Sequence, residues 1–445
     1  MAPTTIFRHI SAVLHILLPF IPKVTAVPRP TPQDTAAAQN TLQWTVLGDS
    51  WASGVAYNKT NVFGDSDLET CFRIKEAWGV QMSEDKSWVS GDQKFNFAAC
   101  GGSLMKDVKG QFEQQKEVST IVWAMFGGND ALFGRIARAC IYQPIDLSHP
   151  GGWGEPWDRD PEGKGECRKS IKAAHETLDR PEIIRAETKR TIDEIFRTAS
   201  AGGFAKPTFD LYLSAYVKFF NAETDGCNDW TFAHPSVSTG KPRVVKGLRK
   251  EMNDLVDKFN RIQAEVVGSY SHPPFINPET HRLHHETPSD IFEGHRFCES
   301  GHTFEDQFYN PDVWLWNLQY SDESSTNDGL TRIGDVDHKW EAIANATSGM
   351  LEMITPNPPP PGEKFDFPGL AKLPPILAVQ DEDHTVGALQ RGFGWTARPF
   401  HPKFTGHKVL KDYFIQRMRR DGIPGVRPLD EGGEKIKHPR PLLPN

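Results

Sequence analysis

The sequence predicts an α/β protein, a three-layer α/β/α sandwich built on a central parallel sheet. Short apolar segments run one after another into glycine-bearing turns: residues 41–47 before Gly48-Asp49-Ser50, 95–98 before Gly101-Gly102, and 121–126 before Gly127-Gly128, with 209–213 a fourth strand candidate. Apolar runs of that length closed by turn residues are the pattern of strands buried on both faces. Between them lie helix-length stretches. In residues 248–266, Leu248, Met252, Leu255, Val256, Phe259, Ile262 and Val266 share one face, at the three-and-four spacing of an amphipathic helix. The last such stretch, 407–418, carries Val409, Leu410, Tyr413, Phe414 and Ile415, with Gly422 beyond it as a stop. Strands alternating with helices make a parallel sheet covered on both faces. Such sheets bind ligands at the carboxyl ends of their strands, where these glycine turns sit.

The chain begins with Arg8, an apolar run over 10–21 and the small residues Val24-Thr25-Ala26, which reads as a cleaved signal peptide over residues 1–26. A signal anchor is the rival reading, but the run is shorter than the roughly 20 apolar residues a membrane span needs. Residues 27–40, rich in Pro, Thr, Gln and Ala without periodicity, read as a flexible leader. The domain is expected over 41–420, interrupted by a proline-rich extended connection at 355–375 and followed by a polar, proline-rich tail at 421–445.

A hydrophobic content of 38%, with 12 Trp and 27 Phe, is ample for a large core. The formal net charge is −8, and loss of Arg8 and Lys23 with the signal segment makes it more negative still. That balance argues against a nucleic-acid partner, whose phosphates such a surface repels. Six cysteines without a CxxC pair behind a signal peptide favour three disulfides over metal ligation or free thiols. Asn58-Lys59-Thr60 and Asn345-Ala346-Thr347 are glycosylation acceptors in a host that glycosylates. These features together predict a secreted, extracellular protein without a transmembrane segment.

Three clusters carry chemistry. Gly48-Asp49-Ser50 follows a strand, with Gly54 close behind. A catalytic serine needs such an exposed, sharp strand-to-helix turn and a histidine base, although the same tripeptide serves as an ordinary turn in which Asp and Ser cap a helix. Gly127-Gly128-Asn129-Asp130 also follows a strand. A side-chain amide held by a tight glycine turn can donate to the oxyanion of acyl transfer, as can backbone N–H groups; a glycine-Asn turn without that role is the alternative. His401-Pro402, followed by Gly406-His407, precedes the final helix. A general base belongs on a loop that returns to the serine, and a surface histidine in a proline-rich loop is the competing reading.

Taken in order, these clusters and the Gly101-Gly102 turn resemble the conserved blocks of the SGNH (GDSL) hydrolase family. Cys71-Phe72-Arg73, the stretch from Phe97 through Gly102, Gly127 through Phe133 with Cys140 beyond, and Gly294-His295-Arg296-Phe297-Cys298 are similar to secreted microbial lipase-like members. The resemblance spans most of 41–418 and is patchy over about 145–205 and 300–395. It implies the flavodoxin-like SGNH hydrolase fold with long insertions, Ser50 as nucleophile and His401 as base. It further implies an oxyanion hole from the Ser50 N–H, the Gly102 N–H and the Asn129 amide, and disulfides Cys71–Cys100, Cys140–Cys167 and Cys227–Cys298.

One departure matters. The family often places an aspartate three residues before its histidine, and this chain has Arg398 there. An arginine side chain accepts no proton, so the Arg398 backbone carbonyl is expected to orient His401, with a remote carboxylate as the alternative. Asp335-Val336-Asp337-His338 spells the pattern literally and makes His338 a rival base, but it lacks the proline and the Gly-His step into a last helix. His281, His284, His285 and His295 gather in one stretch, but no spacing sets them on one helix face with a carboxylate. That stretch reads as a polar loop, and His295 and Cys298 as structural. The expected protein is a serine esterase or lipase acting through an acyl-enzyme, with no cofactor and no metal, on a lipid or acylated-glycan ester. A polysaccharide acetyl esterase and a non-catalytic secreted binding protein of the same fold are the alternatives.

Overall fold

The computed structural model describes residues 41–55, 61–64, 71–115, 119–143, 152–201, 207–233, 242–317 and 399–429. The signal segment 1–26, the leader 27–40, Asn58, Asn345, the connection 355–375, Arg398, His338 and the tail from residue 430 lie outside the described residues.

In chain order the elements are β1 (Leu42–Gly48), α1 (Ser50–Ser53), α2 (Trp78–Glu84), β2 (Gln93–Phe97), α3 (Val108–Glu113), β3 (Ile121–Met125), α4 (Phe133–Ala137), α5 (Glu166–Leu178), α6 (Pro181–Ser200), β4 (Phe209–Ser214), α7 (Lys246–Gly268), β5 (His281–Glu286), α8 (Asp306–Tyr309) and α9 (Phe404–Arg420). The five strands form one sheet, ordered β2-β1-β3-β4-β5, and every neighbouring pair is parallel. The α/β class and central parallel sheet predicted from the sequence are borne out.

The inner strands explain the apolar runs. β3 and β4 are buried along their whole length, because helices cover both faces. On one face Trp123 of β3 packs against Trp78 of α2 and Phe414 of α9. On the other, Phe209 of β4 meets Phe112 of α3 and Phe196 of α6. The chain order reverses direction between β1 and β3, so their carboxyl ends diverge into the crevice where doubly wound sheets take ligands.

Three features differ from expectation. Residues 281–286, read as a polar loop, form edge strand β5, paired with β4 from Phe209↔His281 to Ser214↔Glu286. Its polar side chains find partners the local sequence does not reveal. Arg282 and His284 bond the buried Asp210 at 2.7 and 2.9 Å, and Tyr413 of α9 donates to Glu286 at 3.0 Å. The patchy region contains two long helices, α5 and α6, with Cys167 of α5 bonded to Cys140. Finally, the chain stays packed beyond residue 420, the expected domain end. Ile423 and Val426 are buried, and Arg427 N–H donates to Trp88 O at 2.8 Å.

Gly48 closes β1 beside β3. Its φ is +129°, and a Cβ there would stand 1.9 Å from the Met125 carbonyl oxygen. That oxygen belongs to the paired strand and cannot withdraw without opening the sheet. Gly48→Ala is therefore expected to cost about 3 kcal/mol or more, read as a lowered denaturant midpoint; a midpoint within error of the parent would contradict it.

Candidate active site

Beyond Gly48 the backbone turns sharply into α1. Asp49 sits at the N-cap with φ −99° and ψ −155°, and its Oδ1 accepts from Trp51 N–H at 3.0 Å. Its own N–H donates to Met125 O at 3.0 Å. The capping reading of the tripeptide thus holds for Asp49, which leaves the Ser50 hydroxyl uncommitted to the cap. Gln111 of α3 fixes the turn from below. Its amide accepts from Gly48 N–H and donates to Gly48 O, each at 2.8 Å, and donates also to Ser103 Oγ at 2.9 Å.

His401 Nε2 lies 2.7 Å from Ser50 Oγ. His401 Nδ1 lies 3.1 Å from the Pro399 carbonyl oxygen, one residue along from the expected Arg398. A carbonyl only accepts, so that contact requires the proton on Nδ1 and turns the Nε2 lone pair towards the serine hydroxyl. The histidine segment is pinned by residues 314–316. Phe400 N–H donates to Trp316 O at 2.8 Å, Trp316 N–H to His401 O at 2.8 Å, and Lys403 N–H to Trp314 O at 2.7 Å. Phe400 holds φ +68°, a left-handed conformation that bulky residues rarely adopt. Trp51 flanks His401 with ring centroids 6.1 Å apart.

Two further loops meet this pair. Cys100, bonded to Cys71, donates its N–H to Gly48 O at 2.9 Å, and Gly101 N–H donates to Cys71 O at 2.9 Å. Among the described residues, no protein acceptor takes the N–H of Ser50 or of Gly102. The Asn129 amide spends one hydrogen on Ser103 O at 2.9 Å, leaving its second. Gly127, at φ +105°, is required because a Cβ there would stand 2.4 Å from the Phe259 ring. Asp130 anchors the same turn by accepting from Met105 N–H at 3.1 Å, and burial pushes its carboxyl up to about 6.

Sequence reasoning missed the group beneath these loops. Tyr216, just past β4, is buried and donates its hydroxyl hydrogen to Asp49 Oδ2. The Tyr216 hydroxyl oxygen in turn accepts from Gly128 N–H at 2.9 Å. Burial pushes the Asp49 carboxyl up to about 7; the bonds from Tyr216 and Trp51 oppose that rise, and nearby Asp130 adds to it. A tyrosine at a strand's carboxyl end was the only available signal. Gln111 and Pro399 were likewise unmarked by any motif.

The remaining site expectations divide. Cys227 and Cys298 form the third disulfide. His295 stacks on Trp314 at 3.6 Å and pairs with Asp312, a structural role. His407 lies inside α9, fully buried, and burial followed by the proximity of His401 pushes it down to about 3. Among the described residues, no group of three or more His, Cys, Asp or Glu could hold a metal ion, and no helix is long and apolar enough to cross a membrane.

No family model and no curated protein matches this chain. Among solved structures it is similar to lipases and esterases. The extracellular lipase from Streptomyces rimosus shares 17% identity over 68% of this chain and 99% of its own, with a TM-score of 0.40. The phospholipase A1 from Streptomyces albidoflavus shares 16% over 68% and 98%, at 0.39. An acetyl xylan esterase from Geobacillus stearothermophilus shares 13% over 51% and 73%, at 0.22.

Proposed function

We propose that this protein is a secreted serine hydrolase that cleaves carboxylic esters through an acyl-enzyme on Ser50. The observation that carries the reading is the 2.7 Å contact of Ser50 Oγ with a His401 Nε2 whose other nitrogen faces a carbonyl. His401 takes the Ser50 proton as Oγ attacks the ester carbonyl. The negative oxygen that forms is stabilised by the Ser50 and Gly102 N–H groups and the second Asn129 amide hydrogen. Collapse expels the alcohol, which receives the proton from His401. Water, deprotonated by the same histidine, then releases the acid and restores the serine. The Pro399 carbonyl facing Nδ1 supports a Ser-His dyad with a main-chain acceptor. The three disulfides support an oxidising, extracellular destination.

A fluorophosphonate probe tests the nucleophile, with stoichiometric labelling at Ser50 expected; folded protein that stays unlabelled would favour the non-catalytic binding protein. Substrate class follows from comparing short acetyl esters, long-chain phospholipid or triglyceride, and acetylated glycan. Release confined to the glycan would assign a carbohydrate acetyl esterase in place of the lipid esterase.

A further inference from the structure

Asp49 and Tyr216 lie too deep to touch a substrate, yet they join the two turns that the reaction requires. Asp49 is the residue immediately before the nucleophile, and Gly128 immediately precedes Asn129. Between them runs one buried chain of bonds. Trp51 N–H donates to Asp49 Oδ1 at 3.0 Å, the Tyr216 hydroxyl donates to Asp49 Oδ2, and Gly128 N–H donates to the Tyr216 oxygen at 2.9 Å. Both Asp49 and Tyr216 are buried, so water cannot substitute for a missing member.

Resting on the esterase reading, we infer that Tyr216 is a positioning residue, whose hydroxyl sets the distance between the Ser50 turn and the Asn129 amide. The hydroxyl suits this work because it donates on one side and accepts on the other, matching a carboxylate to an N–H. The ring has a separate role. It packs edge-on against Trp51 at 6.0 Å and Phe133 at 5.9 Å, and lies 5.8 Å from Phe259. A second bond set supports the neighbouring oxyanion donor: Gln111 grips Gly48 and Ser103, and Ser103 O holds Asn129. Loss of the Tyr216 hydroxyl alone therefore removes one of the two supports of the Asn129 turn. A donor displaced by a fraction of an ångström stabilises the transition state poorly while leaving ground-state binding nearly intact.

The test is Tyr216→Phe, which keeps the ring and removes the hydroxyl, assayed on the full chain with the active fraction titrated by fluorophosphonate. The expected result is a fall of about 10- to 100-fold in kcat per titrated site with KM within about 2-fold. An alkylboronic acid that forms a tetrahedral adduct on the serine should weaken by a similar factor. Asn129→Ala in the Tyr216→Phe background should cost less than Asn129→Ala alone, because the amide it removes is already misplaced. Unchanged kcat per titrated site overturns the positioning role, as does a fall traced wholly to a smaller titrated fraction. A parent protein that neither labels at Ser50 nor cleaves any ester overturns the esterase reading itself.

Discussion

Ser50→Ala is expected to lower kcat for ester cleavage by about 10⁴- to 10⁶-fold and to leave the fold in place. The size of the loss follows from the absence of a substitute nucleophile. The adjacent Ser53 is fully buried and donates to Gly54 O at 2.8 Å, while the Ser103 hydroxyl is held by Gln111 at 2.9 Å. The residual rate reflects the oxyanion donors and binding alone. Folding should survive because the cap of α1 belongs to Asp49, whose carboxylate accepts from Trp51 N–H. The Ser50 hydroxyl contributes one bond, to His401, at a half-buried position. One such bond is worth about 1 kcal/mol, so Tm should move by a few degrees at most. Purified variant and parent compared on one ester, with thermal unfolding alongside, decide the matter. Near-parental turnover would remove Ser50 from the mechanism.

The legible parts of this fold are those whose pattern is local. β1, β3 and β4 announce themselves because both faces are buried, which forces an apolar run, and because glycine must follow where the backbone turns under a neighbour, as at Gly48 against Met125. β5 was illegible because its stabilisation is remote: Arg282 and His284 read as loop residues until Asp210, 72 and 74 positions away, is placed beneath them. The same reason hid Tyr216, which acts on Asp49 across 167 residues. The Ser50–His401 contact spans 351 residues, a separation that no periodicity encodes; the family resemblance alone brought those two residues together in the sequence reading. It pointed to the Arg398 carbonyl, which lies outside the described residues; within them, the Pro399 carbonyl faces Nδ1. Phe400 beside it is left-handed, and nothing in its side chain foretells the conformation.

His401→Ala should lower kcat about as far as Ser50→Ala, and the double variant should be no worse than either single one. Residues that act as a unit are not additive: without its base the serine keeps its proton, and without the serine the base has nothing to activate. The sharper comparison is with His338, the rival that carries the aspartate three residues before it. If Pro399 O suffices to hold the Nδ1 proton, a carboxylate partner is dispensable and His338→Ala retains full turnover. Equal losses from His338→Ala and His401→Ala would instead argue that a distant carboxylate-histidine pair serves the serine. His401→Gln adds a control for shape, since glutamine fills similar space beside Trp51 but is no general base. It should be as inactive as the alanine variant while its Tm stays nearer the parent, separating proton transfer from the packing of the loop held by Trp314 and Trp316.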